Sequence, residues 1–369
     1  MPSQEFVPLN GEVLRVVNGA PALVKFYSGD KSKPLVVCIP GAANLARIFY
    51  GVHAGSREDD FLSFWLHQHH NFSVLALSYP GETIDGPMRP PAPEYTIQDW
   101  GKQTATIAAD YIADHGLAKE VVVAFWSMGG KVVEPFSASS TSLGIKVKLA
   151  VSLAATPGIF GLRPHPPGIK ISSSGYAYRD DTSRSFGQQV RTQNQLNGDR
   201  EIISPDSLEK LYYTKTPINL TGWGLRYSRD TDGQQRFVDD DMADIRDAQV
   251  HNWGALPLIG VIQPTSTQDL MHAVGDKASW GLVLTFKLLS DFQKATSQPG
   301  YTEKGTSSKE RFESFRDLVD AIPGRLARRV EGTHYFFVGK KGARETADQI
   351  ADLLQASEKI QAEIDNLLC

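Results

Sequence analysis

The sequence predicts an α/β protein built on a mostly parallel sheet with helices on both faces. Apolar runs without polar alternation, such as Val121-Val-Val-Ala-Phe125, read as strands buried on both sides. They alternate along the chain with segments of helical periodicity, the order that generates parallel neighbours. Composition is that of an ordinary soluble globular protein: 41% of the 369 residues are hydrophobic and 22% charged. With 38 Lys and Arg against 42 Asp and Glu, the net charge is −4. A balance so near neutral gives no electrostatic reason to bind nucleic acid or an acidic membrane surface.

Three strands open the fold, EVLRVV, ALVKFYS and PLVVCIP, separated by the turn segments NGAP and GDKSKP. SREDDFLSFWLHQHH follows, with Phe61, Leu62, Trp65 and Leu66 a turn apart, and reads as a helix. FSVLALSYPG is a buried strand ending in a tight loop. In Thr96-Ile-Gln-Asp99, Thr96 can cap a helix and Asp99 can favour its positive end, and Ile97, Trp100, Ile107, Ala108, Tyr111 and Ile112 then share one stripe. VVVAF and KLAVSLAATP are further buried strands with the helix KVVEPFSAS between them.

From 158 to 255 the pattern loses regular apolar spacing and becomes rich in Pro, Gly, Ser, Asp and Arg. This is the mark of an insertion, so residues 1–157 and 256–369 are expected to form one core and 158–255 a lid. Tyr176, Tyr178, Phe186, Tyr212, Tyr213, Trp223, Tyr227 and Trp253 are too many aromatics for a disordered linker, and packing of the lid onto the core accounts for most of them. ALPLIGVIQP resumes the strands. A helix over 276–292, the loop SQPGYTEKGTSSKE and a helix over 311–321 lead to the strand RLARRVEG, whose Arg325, Arg328 and Arg329 read as a solvated edge. The final helix begins near Gly342. Its apolar positions Ile350, Leu353, Leu354, Ile360, Ile364 and Leu367 suit either its own core or a homodimer contact.

Two cysteines, Cys38 and Cys369, are too few for a disulfide framework or a thiolate metal site. No basic-then-apolar leader opens the chain and no apolar stretch nears the roughly 20 residues that span a bilayer, so a cytoplasmic protein without metal or other cofactor is expected.

The segment carrying chemistry is Val121-Val-Val-Ala-Phe-Trp-Ser-Met-Gly-Gly130. A serine at a sharp turn between a buried strand and a helix is lifted above the sheet over a helix N-terminus, which makes Ser127 the candidate nucleophile and a plain turn serine the alternative. A hydroxyl needs a base to take its proton, usually histidine. Of nine histidines, His334 in Glu331-Gly-Thr-His-Tyr-Phe lies just past the last strand, at the sheet edge that holds Ser127. His67, His69, His70, His115, His53, His165 and His251 suit packed or solvated roles, and spacing suggests no carboxylate that would make the first three a metal site. The imidazole in turn needs an orienting acid. Asp269 is the nearest after PLIGVIQP, with Asp276 next. Backbone donors for an oxyanion are expected at Ala42 and Met128, and Trp126 and Gly41 as substrate-facing neighbours, Gly41 also allowing close backbone approach.

Taken together, Pro40-Gly41-Ala42, Ser78-Tyr-Pro-Gly81, Phe125-Trp-Ser-Met-Gly-Gly130, the acid near 269 and Gly332-Thr-His334 resemble the α/β-hydrolase family, whose triad runs in the order Ser, Asp, His. The resemblance covers residues 12–157 and 255–355. It implies an eight-stranded, mostly parallel sheet under a helical cap, with Ser127 as nucleophile, His334 as base, Asp269 as acid, and Ala42 and Met128 as oxyanion donors. Phe125 stands where a small residue is usual and Pro40 where histidine is common. The 65 positions between acid and base (334 minus 269) are about twice the usual gap, which an added helix, a second part of the lid, would fill.

A serine rather than an aspartate at this turn implies acyl transfer: an esterase, thioesterase, lactonase or lactonising enzyme acting on a hydrophobic small molecule. A polyketide-like, carrier-protein-bound thioester is one form of that substrate. A lyase or C–C bond hydrolase with the same triad, and a non-catalytic receptor for a small ligand, are the rival readings.

Overall fold

The computed structural model describes residues 11–82, 94–159, 182–229, 234–249, 251–297 and 308–368, with residues 9, 88, 169–172, 175–178 and 232. His165, Cys369 and most of the SQPGYTEKGTSSKE loop lie outside the described residues.

Eight strands form the main sheet: β1 (Val13–Val17), β2 (Ala20–Tyr27), β3 (Leu35–Ile39), β4 (Val74–Leu77), β5 (Glu120–Trp126), β6 (Lys146–Leu153), β7 (Ile259–Gln263) and β8 (Ala327–Arg329). They lie in the order β1-β2-β4-β3-β5-β6-β7-β8. The pairings β1 with β2 and β2 with β4 are antiparallel, and every pairing from β4 across to β8 is parallel. An eight-stranded, mostly parallel sheet flanked by helices is the α/β-hydrolase fold that the resemblance implied. The central runs LVVCI of β3 and VVVAFW of β5 are wholly buried, because helices cover both faces.

The helices are α1 (Ile97–His115), α2 (Val133–Ser142), α3 (Thr182–Leu196), α4 (Asp241–Asp247), α5 (Leu270–Thr296), α6 (Ser308–Arg325) and α7 (Lys340–Leu368). At the head of α1 the Thr96 hydroxyl accepts from the Asp99 N–H at 3.1 Å while the Asp99 carboxylate accepts from the Thr96 N–H at 3.0 Å, a reciprocal cap legible from the motif. Gly116, at φ 62°, ends the helix in the left-handed conformation. α1 and α2 touch through Gly101, where a Cβ would stand 2.6 Å from Pro135 Cβ.

Several expectations are corrected. The helix expected over 56–70 is one short turn, Leu62–Phe64, running into a wider π turn, Trp65–His69, with the Trp65 indole tied back to the Asp59 carbonyl at 2.8 Å. α5 starts at Leu270 and α6 continues through Pro323 to Arg325, both longer than their apolar stripes indicate. α5 is not a second lid: its Trp280 packs on Phe125 of β5 and donates to the Ala155 carbonyl at 2.7 Å, so it covers the sheet. The basic run at β8 is paired rather than merely solvated, Arg325 with Glu363 and Arg328 with Asp352, both at 2.6 Å. In α7, Ile350, Leu353, Leu354, Ile360 and Ile364 are buried against the chain's own core and Leu367 half-buried, leaving that stripe no free face. No described helix is long and apolar enough to cross a membrane.

Between β6 and β7 the inserted residues form a small three-stranded sheet (Lys170–Ile171, Tyr176–Tyr178, Thr216–Pro217), a hairpin (Leu225–Arg229 with Gln235–Asp239), α3 and α4. Asp247 of α4 accepts the N–H groups of Ile97 and Gln98 at 3.0 Å each, so the insertion supplies a second cap to α1. Arg226 bridges Asp244 and Asp247 at 2.8 Å each, and Lys215 pairs with Glu82 at 2.6 Å.

Candidate active site

Ser127 sits at φ +55°, a left-handed conformation that an L side chain adopts only under constraint. β5 leads into it and a tight 3₁₀ turn, Ser127–Val132, leads out into α2. The turn closes because its neighbours lack side chains: a Cβ on Gly130 would meet the Thr156 carbonyl at 2.3 Å, and one on Gly129 the Pro40 carbonyl at 3.1 Å. Phe125 does not obstruct the turn, since its ring is buried against Trp280.

His334 Nδ1 lies 2.7 Å from Asp269 Oδ2. β7 and β8 are parallel neighbours, and the loops that leave their carboxyl ends are laced by bonds from the Thr265 and Ser266 N–H groups to the Gly332 carbonyl, at 3.2 and 2.9 Å. That lacing carries Asp269 to His334. Asp269 occupies the N-cap of α5 but makes no side-chain cap, its carboxylate being turned to the imidazole instead. α5 and α6 fill the long gap in sequence between Asp269 and His334.

Asp276 is 2.8 Å from Nδ1 of His272 instead, and both are buried. The His272 and His334 rings are 5.1 Å apart, so two histidine–aspartate pairs stand side by side.

The loop after β3 packs directly on the elbow. A Cβ on Gly41 would stand 2.6 Å from Ser127 Cβ, so the glycine serves close approach and, contrary to expectation, does not line the cavity. Ala42 does line it, whereas Met128 is buried outside the lining. Trp126 is also corrected. It is 1% exposed beneath His334, its indole donating to the His334 carbonyl at 3.0 Å, and it therefore supports the His334 loop from below. Side chains alternate along a strand, and the position just before Ser127 faces the core.

Several contributors carried no sequence signal of their own. The Thr216 hydroxyl accepts from the Ala43 N–H at 2.9 Å and meets the Tyr79 hydroxyl at 3.0 Å, while Tyr79 donates to the Gly41 carbonyl at 3.0 Å. Burial pushes the Tyr79 phenol well up, which keeps it a donor. From α3, Gln189 accepts from the His334 N–H at 3.1 Å and Gln193 from the Thr333 N–H at 3.3 Å. Their spacing of four places both glutamines on one helix face, the single hint available beforehand.

Ser127, Ala42, Ala43, Asp269 and His334 border a cavity of about 230 Å³, roofed by residues of the insertion. Of the eight aromatics singled out there, Tyr178, Phe186 and Trp223 line it, and Phe186 lies parallel to the His334 ring at 6.5 Å. Tyr176, Tyr212 and Tyr227 are buried packing residues. Away from this cavity, Asp348 of α7 approaches His70 Nε2 at 2.8 Å and His69 at 3.6 Å, a carboxylate partner that spacing did not suggest.

No protein-family model and no curated protein matches the chain. Among solved structures it is similar to the thioesterase domain from the curacin biosynthetic pathway, at 12% identity and TM-score 0.39, over 92% of this chain and 98% of that one. It is similar also to an arylesterase, at 15% identity and TM-score 0.44 over 94% and 84% of the two chains. A thermophilic esterase from Thermogutta terrifontis gives 10% and 0.44 over 94% and 98%. Strand order and pairing define the fold.

Proposed function

We propose that this chain is a serine hydrolase working by acyl transfer, with Ser127 as nucleophile, His334 as its base and Asp269 as the orienting acid. The observation that carries the reading is the 2.7 Å pairing of His334 with Asp269 at the wall of the cavity that Ser127 enters from a strained turn. A carboxylate only accepts hydrogen bonds, so His334 Nδ1 holds the proton and Nε2 is left to receive one. As Ser127 Oγ bonds to a carbonyl carbon, its proton passes to Nε2, the Asp269 charge stabilises the imidazolium, and the proton then goes to the departing alcohol or thiol. The N–H groups of Ala42 and Met128 are assigned to the oxyanion, with Tyr79 and Thr216 holding the Ala42–Ala43 loop in place. Water or a second hydroxyl completes the cycle by releasing the acyl group.

The insertion acts in this reading as a cap whose Ile169, Tyr178, Phe186 and Trp223 select an apolar acyl group. About 230 Å³ suits a short or medium acyl chain, and a polyketide-sized one requires the cap to move. A fluorophosphonate probe tests the assignment: it should label the folded protein once and fail on Ser127→Ala. Folded wild-type protein that takes no label would sink it. A burst of p-nitrophenol from a short ester should accompany labelling, and steady release without a burst would favour lyase-type proton transfer.

A further inference from the structure

Among the described residues, Asp269, His272 and His334 each present a metal-ligating atom, and these atoms lie within 4.8 Å of one another. The chemistry above uses two of them and gives His272 no task, although it is fully buried beside the other two. With Nδ1 of His272 held 2.8 Å from the Asp276 carboxylate, Nε2 is the nitrogen left with a lone pair. A carboxylate on the far nitrogen is the outer-shell arrangement that orients metal-binding histidines. Two imidazoles and one carboxylate form a three-ligand zinc set with a fourth position for water, and such donors sit about 3.4 Å apart around an ion held at about 2.0–2.2 Å. Movement of about an ångström in these side chains would gather them. Asp269 and His334 border the cavity, which offers a route in and room for the fourth ligand.

We propose that Asp269, His272 and His334, with Asp276 holding His272, form a transition-metal site at which Zn²⁺ silences Ser127. Binding follows from the side-chain cluster alone; the silencing rests on the proposed function. Either nitrogen of His334 leads to the same result. Ligation through Nε2 occupies the lone pair that would take the serine proton. Ligation through Nδ1 shifts the ring's single proton to Nε2, where again nothing can accept from Ser127. The ion is thus a reversible inhibitor and enters no step of the reaction.

A second cluster, His69, His70 and Asp348, lies nearer the surface with the Arg344 guanidinium 4.0 Å from Asp348, a neighbouring cation that opposes a metal ion. It provides the control. The full chain, stripped with a chelator, is titrated with Zn²⁺ by calorimetry and with Co²⁺ by visible absorption. Wild type and Ser127→Ala should bind one ion with equal affinity and show the intense bands of tetrahedral cobalt. His70→Gln should match them, Asp276→Asn should bind about 10–100-fold more weakly, and His272→Gln should lose the site. Zn²⁺ should slow fluorophosphonate labelling over the same concentrations, with EDTA restoring it.

Wild type that binds neither ion overturns the proposal, as does binding that survives His272→Gln but not His70→Gln. Should His272→Gln fail to fold, Asp276→Asn decides, and unchanged affinity there is an overturning result. Labelling at full rate with the ion bound overturns the silencing. A chain that binds zinc yet is never labelled fails the serine-hydrolase reading while supporting the metal site.

Discussion

Two histidine–aspartate pairs meet at the start of α5, and they differ in what brings their members together. His272 and Asp276, 2.8 Å apart, are separated by one helical turn, so the helix alone juxtaposes them. His334 and Asp269, at 2.7 Å, are 65 positions apart (334 minus 269) and meet only because β7 and β8 are neighbours in the finished sheet. The local pair is buried away from the cavity, while the distant pair opens onto it. What faces the cavity thus depends on the assembled sheet edge, and the pair that forms most easily is the one that does not border it.

The sharpest way to break this contrast is to remove the imidazole at the cavity. His334→Ala should lower kcat for a short ester by about 10⁴–10⁶-fold without loss of fold, measured by steady-state hydrolysis alongside circular dichroism. Next comes exchange of the two acids in zinc-free buffer. Asp269→Asn should reduce kcat by about 10⁴-fold at similar KM, and Asp276→Asn by less than about tenfold; the reverse order would give the orienting role to the local pair.

Gly41→Ala comes third, since its Cβ would stand 2.6 Å from Ser127 Cβ. The overpacking, about 1–3 kcal/mol, should shift the elbow and cost about 10–100-fold in kcat/KM. Removing the clasp on the His334 loop is milder. Gln189→Ala with Gln193→Ala strips the Thr333 and His334 N–H groups of their acceptors, at about 1–3 kcal/mol for each donor left buried, and the urea midpoint should fall accordingly.

The smallest effect concerns another buried acid, one without a histidine partner. Glu134 of α2 meets the Asn252 amide, and burial pushes its carboxyl up to about 7. Folded protein therefore holds a proton there that the unfolded chain releases near pH 4.5. Stability attributable to this group should decline as pH rises from about 4.5 through 7, the direction opposite to that of a paired carboxylate. Glu134→Gln keeps an oxygen for Asn252 and should flatten the change in urea midpoint between pH 5 and 8. An unaltered slope would locate the titration elsewhere.

Much of the frame was legible because its causes are local. Continuous apolar runs marked β3, β5, β6 and β7, Thr96 and Asp99 marked the head of α1, and the strand-turn-helix pattern around Ser127 is present with the positive φ such a turn demands. The misreadings share a cause. Trp126 and Gly41 stand next to Ser127 and Ala42 in sequence, yet strand alternation sends one under His334 and close approach presses the other against Ser127. Asp348 beside His70, and Gln189 and Gln193 beside the His334 loop, belong to elements far away along the chain, where spacing carries no information.

The amino-acid sequence by itself determined the class of fold, the strand order along the chain and the turn that exposes Ser127, because burial, periodicity and turn chemistry act over a few neighbouring residues. Which acid faces His334, which aromatics roof the cavity and that a second histidine lies against the first were decided only by tertiary structure. Each depends on the register of β7 beside β8 and on where the insertion crosses the sheet edge, and those are set by packing summed over the whole core.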